Sequence, residues 1–256
     1  VARGLALALL CATWWVTEAV PPPVTALVPG VAMPLLGILP TREAFSSYAH
    51  PLIFLFLGGF IIARAMHVSG LDRRIATTTL SLAGTRPAVV LGAFMAITAL
   101  LSAFISNTAT TAMMLPIGLA VLKRTGLETG SRFGKSLLLG LAWAASIGGV
   151  ATLVGTPPNA ALAGFASRLL DREITFAAWL TVGVPFSAVM LPAAWGILLT
   201  RYRPEVKRIE INLAVREGTM ESEDDRGTVM GRVVTTFVFL LVAWMWMSHD
   251  LLDHLP

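Results

Sequence analysis

Two short polar interruptions carry the chemistry open to this sequence. Ser106-Asn107-Thr108 lies within residues 87–122, and Gly155-Thr156-Pro157-Pro158-Asn159 lies within residues 136–167; neither stretch contains an Asp, Glu, Lys, Arg or His. Hydroxyls, amides and backbone carbonyls are therefore the only polar groups at hand. Pro157 and Pro158 have no N–H to donate, and each pushes the preceding residue out of the α region. The helix should break here, freeing carbonyls near Val154 and Gly155 and restarting near Asn159. Freed carbonyls with Ser and Asn oxygens make a hard oxygen cage that suits Na⁺. An anion beside it must be held by hydroxyls, amides, helix N-termini and the cation itself, because no basic residue is available. Ser106 and Thr108 could instead simply bond back to a helix carbonyl. Asn107 argues against that, because a primary amide in hydrocarbon needs several partners.

The elements that must position these groups follow from composition. Of 256 residues, 55% are hydrophobic and 13% charged, about half the charge of an ordinary soluble domain. That excludes a water-soluble enzyme and a disordered chain, and implies an all-α polytopic membrane protein in the lipid bilayer. Residues 5–20, 24–39 and 52–68 read as spans, followed by an interfacial helix over 71–83. Residues 87–122 read as a hairpin whose Ser-Asn-Thr tip is buried at membrane depth; irregular backbone survives there only inside protein or beside a water-filled cavity. Residues 136–167 form a broken helix and 176–199 a further span. A polar loop occupies 201–232, and a last apolar run covers 233–247. Ser146-Ile147-Gly148-Gly149, just upstream of the second break, allows close backbone approach.

The basic residues test this layout. With 87–122 returning to its starting side, Arg64, Arg73, Arg74, Arg86, Lys123, Arg124, Arg132, Lys135 and every Lys or Arg in 201–232 share one side. Arg3, Arg42, Arg168 and Arg172 lie on the other. The positive-inside rule makes the loops at 64–86, 123–135 and 201–232 cytoplasmic, in a cell inner (plasma) membrane protein. The formal charge of +4 is explained by these loops, with no nucleic-acid partner implied. A single long crossing over 87–122 would destroy the asymmetry.

Ser106-Asn107-Thr108 and Gly155-Thr156-Pro157-Pro158-Asn159, with Trp15-Val16-Thr17-Glu18-Ala19-Val20-Pro21, resemble the divalent anion:sodium symporter family of dicarboxylate, citrate and sulfate transporters. The resemblance runs over essentially the whole chain. It implies a re-entrant hairpin tipped by Ser-Asn-Thr, elevator-type alternating access and a homodimer. It also implies a sodium site at Ser102, Ser106, Asn107 and Gly155, with Na⁺ as coupling ion rather than prosthetic group. Substrate contacts are implied at Ser106, Asn107, Thr108, Thr156 and Pro157, with C4 dicarboxylates as cargo. On this reading residues 1–86 are scaffold, 87–200 half of a transport domain, and 233–256 the first helix of a second repeat. The family carries two inverted repeats, each with a Ser-Asn-Thr motif, and this sequence shows one. The expectation is accordingly an N-terminal repeat, about half of a transporter, with a helix before Arg3 and the second sodium site both missing.

Other residues take structural readings. His50, His67, His249 and His254 sit near span ends without metal-cluster spacing, and Cys11 lies alone in an apolar run. Gly58-Gly59 suggests close helix packing, Trp14, Trp15, Trp244 and Trp246 suggest interface or packing roles, and Glu18 suggests hydrogen-bonded structure at a helix end. An intramembrane serine protease would need a base near Ser102 or Ser106, and neither stretch supplies one. A cation/proton antiporter or arsenite-type efflux carrier is the stronger rival, yet proton coupling usually needs an intramembrane carboxylate.

Overall fold

The computed structural model describes residues 1–81, 83–209 and 228–252, and all regular structure among them is helical. The chain divides into two compact units, Val1–Leu57 and Gly58–Pro256. The first holds α1 (Ala2–Thr17), α2 (Pro22–Leu35), the short α3 (Thr41–Ser46), a 3₁₀ turn (Ser47–Ala49) and the start of α4 (Pro51–Val68). Glu18 ends α1 in the left-handed region, φ 50°, so the helix stops before the proline run rather than continuing to residue 20. Pro29 and Pro34 lie inside α2 and remove two donors from its ladder. The Tyr48 hydroxyl inserts there, accepting from Gly30 N (3.1 Å) and donating to Ala26 O (2.7 Å).

The second unit holds the rest of α4, then α5 (Leu71–Ser81), α6 (Pro87–Ser102), α7 (Asn107–Thr125), α8 (Arg132–Ala151), α9 (Pro157–Leu170), α10 (Phe176–Arg201) and α11 (Val229–Leu252). Its core is built around α6, whose Val90, Leu91, Phe94, Met95, Ile97 and Leu101 are buried on several faces. A helix hydrophobic all round belongs inside the protein, and α6 is enclosed by α5, α7, α8 and α10. On α5, Ala76 and Leu80 are fully buried in this core.

Small residues set how closely α8 approaches. A Cβ on Gly148 would collide with the Ala99 backbone of α6, and one on Gly140 would press on Leu91 and Met95. Gly183 of α10 lets that helix touch the end of α8, where an added Cβ would meet Ala151 O at 2.6 Å. Of the Gly58-Gly59 pair only Gly59 is a packing glycine, against Val154 and Trp246.

Among the described residues, four helical stretches are long and apolar enough to cross a membrane: Thr41–Val68, Arg132–Ala151, Phe176–Arg201 and Val229–Ser248. On α10 and α11 apolar side chains such as Val182, Val189, Ile197, Phe237, Leu240 and Trp244 point outward, the arrangement required where the solvent is hydrocarbon. The protein is an all-helical polytopic membrane protein. Most of the polar segment expected over 201–232, and residues 253–256, lie outside the described residues. What is described of the former is anchored: Glu205 accepts from the backbone N–H groups of Arg132 (2.6 Å) and Phe133 (3.0 Å) at the start of α8, and Ile209 N donates to Thr85 O.

Candidate ion and anion site

The Ser-Asn-Thr motif forms the turn into a helix. After α6 ends at Ser102, four residues carry the chain round, and Ser106 becomes the N-cap of α7, its hydroxyl accepting from Ala109 N (3.3 Å). Asn107 and Thr108 occupy the first two helical positions, where backbone N–H groups have no intrahelical partner and the helix dipole favours negative charge.

The second interruption covers residues 152–156, between α8 and α9; it lies three residues ahead of the expected 155–159, because α9 begins at Pro157 itself rather than near Asn159. Pro suits the first helical position because its missing N–H would be an orphan there. The consequence is that Leu153 and Val154 carbonyls have no N–H four residues on, while Asn159 N turns to Thr156 O (3.1 Å). Of the two helix N-termini, α7 therefore offers N–H groups to an anion and α9 offers chiefly the Thr156 hydroxyl.

The two interruptions meet. Ser102 Oγ lies 2.7 Å from both Asn107 Oδ1 and Ala145 O of α8. Gly149 packs on the Asn107 amide so tightly that a Cβ would overlap Oδ1. Thr152 donates to Ala103 O in the first turn and accepts from Gly155 N (3.1 Å) in the second. A Cβ on Gly155 would sit 2.5 Å from Gly149 O and 3.0 Å from Ala103 O. Asn159 Nδ2 clamps the break by donating to Gly149 O and Thr152 O, each at 2.8 Å. Trp179 Nε1 reaches Val150 O (2.9 Å) and Ser187 reaches Ile147 O (2.8 Å) from α10.

Burial separates the sequence-derived candidates into two layers. Ser102 and Gly155 are buried and Asn107 half-buried, whereas Ser106, Thr108 and Pro157 are exposed and Thr156 half-exposed. The deep layer is rich in acceptors: the single Ser102 proton faces two carbonyl-type oxygens. A surplus of oxygen acceptors over protons is the condition a hard cation satisfies. Thr152 and Ala145 have no part in the sequence-derived site; Gly149, expected to allow close approach, does so against Asn107, and Asn159, expected only as the restart of the helix, clamps the break. Thr152 is polar in a charge-free stretch and could have been marked; Ala145 contributes only its backbone, which no side-chain pattern shows.

An uncharged, oxygen-lined cluster where the α6–α7 turn meets an interrupted helix thus lies inside a polytopic membrane protein. The chain belongs to the citrate transporter family, whose pattern matches residues 12–253. It is 38% identical over 263 aligned positions to the sodium-dependent dicarboxylate transporter SdcS of Staphylococcus aureus strains NCTC 8325, COL and N315, covering 97% of this chain and 49% of each relative. The chain thus spans about half the length of the curated relatives it matches. The family and these relatives are transporters, not enzymes, in agreement with the resemblance carried by the two interruptions.

Proposed function

We propose that this chain forms half of the binding site of a sodium-coupled carrier of small divalent anions, with C4 dicarboxylates as cargo. The oxygen cluster of Ser102, Asn107 and Ala145, held against Gly149 and Gly155, is the observation that carries the reading. Na⁺ is held by Ser102, Ser106, Asn107 and Gly155, and the anion by Ser106, Asn107, Thr108, Thr156 and Pro157. Asn107 belongs to both sets: its carbonyl oxygen faces the buried layer and its position in the first turn of α7 faces the anion. Sodium bound beneath the anion lowers the cost of negative charge at membrane depth, which couples the two without an ionisable side chain. The sodium-dependent dicarboxylate transporters among the relatives support this cargo and ion.

Residues 87–122 act as a re-entrant hairpin with its tip near the bilayer midplane, and residues 87–200 move as a transport unit against a scaffold of residues 1–86 in an elevator-type cycle. The loops at 64–86, 123–135 and 201–232 face the cytoplasm, the assembly is a homodimer in the plasma membrane, and residues 233–256 open a second repeat. Succinate uptake into proteoliposomes, with and without an inward sodium gradient, tests the activity on the protein containing both repeats. Uptake driven equally well by a proton gradient in sodium-free buffer would replace this reading with that of a proton-coupled carrier.

A further inference from the structure

Among the described residues, two side-chain hydrogen bonds tie the turn between α6 and α7 to the end of α8: Ser102 Oγ to Ala145 O (2.7 Å), and Thr152 Oγ1 to Ala103 O. The first belongs to a proposed sodium ligand. The second belongs to Thr152, the residue at which α8 stops; its backbone is extended, φ −123° and ψ 158°, and it is 3% exposed. Its hydroxyl works in both directions. It donates its one proton to Ala103 O, which takes no backbone N–H among the described residues, and it accepts from Gly155 N (3.1 Å). The proton is thereby used and one lone pair engaged, so the hydroxyl acts as a strut rather than an ion ligand. A β-branched side chain holds that strut stiffly at χ1. What it spans is the gap between the proposed cation oxygens. On one side, Ala103 lies in the turn that carries Ser102 on to Ser106 and Asn107. On the other stands Gly155, where an added Cβ would sit 3.0 Å from Ala103 O. A cage of neutral oxygens tells cations of equal charge apart by its size and stiffness.

We propose that Thr152 is a positioning residue that sets the width of the sodium cage, and with it the preference for Na⁺ over the larger K⁺. The inference rests on the proposed sodium site and adds to it a residue that acts without touching the ion. With the strut in place, the Ser106–Asn107 side and the Gly155 side stay at the separation that a small cation closes. Without it Ala103 O and Gly155 N each lose a partner, the two turns part, and the wider cage favours Na⁺ less.

Equilibrium binding of radioactive sodium to the full chain in phosphatidylcholine nanodiscs, with K⁺ as competitor, reads affinity and preference together. The wild type should bind Na⁺ and prefer it to K⁺. Thr152→Val, equal in shape but without the hydroxyl, should weaken Na⁺ binding about tenfold, the scale of stranding a buried polar group, and weaken K⁺ less. Thr152→Ser, which keeps the hydroxyl and drops the methyl, should stay within about twofold of wild type for both ions. Thr98→Val is the reference for simple destabilisation. It removes another buried hydroxyl, bonded back to Phe94 O within α6, and should change neither affinity nor preference. Where Thr152→Val does not fold, Thr152→Cys replaces it, because a thiol donates only weakly and should move both quantities in the same direction. Wild-type affinity and preference in the folded variant overturn the positioning role. So does an equal loss for Na⁺ and K⁺, or a Thr152→Ser protein as impaired as Thr152→Val; each of these leaves the sodium site itself standing. A wild type that binds no sodium removes the site, and this role with it.

Discussion

At the scale of single residues, Asn107 joins the two layers of the candidate site. Its amide oxygen meets Ser102 Oγ at 2.7 Å while its backbone opens α7. Asn107→Ala should therefore weaken sodium and succinate together in the protein with both repeats, because linkage is reciprocal. Asn107→Asp keeps an oxygen for the cation but opposes the anion, so succinate binding should fall further than sodium binding. Thr17→Ala, which removes only a bond back to Thr13 O on exposed α1, is the control. Calorimetric titration of both ligands reads the split; unchanged sodium affinity in Asn107→Ala would remove that residue from the cation site. Gly148→Ala makes a prediction of a different kind. The new methyl meets the Ala99 backbone, which cannot rotate away, so α6 and α8 must separate at a cost of about 1–3 kcal/mol. A melting temperature equal to wild type would show that the two helices are not so closely packed.

At the scale of elements, the joint between α8 and α9 depends on a side chain that bonds carbonyls at the broken end of α8. Asn159 is 5% exposed and supplies two such bonds. Asn159→Ala should remove the side-chain donor from Gly149 O, leave Thr152 O only the long bond from Gly155 N (3.3 Å), and cost about 1–3 kcal/mol, read as a lower unfolding temperature in detergent; Asn159→Leu, similar in volume, should do no better. The N-terminus of α8 depends on a charge instead. Desolvation raises the pKa of the exposed Glu205, but N–H donation from Arg132 and Phe133 and the Arg132 charge outweigh it, and the carboxyl stays below its usual range. A folded-state pKa below the unfolded one means the carboxylate stabilises the fold above the ordinary glutamate range, and that this contribution fades as pH falls through the lowered value. Unfolding temperature should therefore drop on acidification more steeply in wild type than in Glu205→Gln, while above that range the variant should be the less stable. Parallel pH profiles would discard the cap.

At the scale of the whole molecule, topology is the testable quantity. If residues 87–122 return to the side they left and 136–167 crosses, single cysteines at 128–131 should face the cytoplasm and those at 171–173 the outside. In a Cys11→Ser background, a membrane-impermeant maleimide applied to intact cells should label the second group and spare the first. Labelling of 128–131 alone would make 87–122 a full crossing and reverse everything after it; labelling of both groups would mean that 136–167 does not cross.

Much of this was legible in the residues themselves. Composition and hydropathy dictate a helical membrane protein, because hydrocarbon leaves backbone groups no partner except one another. Proline chemistry dictates the break near 157, and the Ser-Asn-Thr turn declares itself by polarity in a charge-free stretch. Other features are properties of pairs distant in sequence. The Ser102–Ala145 bond, the seat of Asn107 on Gly149 and the bond from Thr152 to Ala103 require α6, α7 and α8 to pack at one particular approach. That approach is set by where small residues on one helix face backbone on another. Periodicity shows which face of a helix is apolar but not its partner or depth. So the sequence determined which groups could bind an ion and an anion, and tertiary packing decided which of them share a layer.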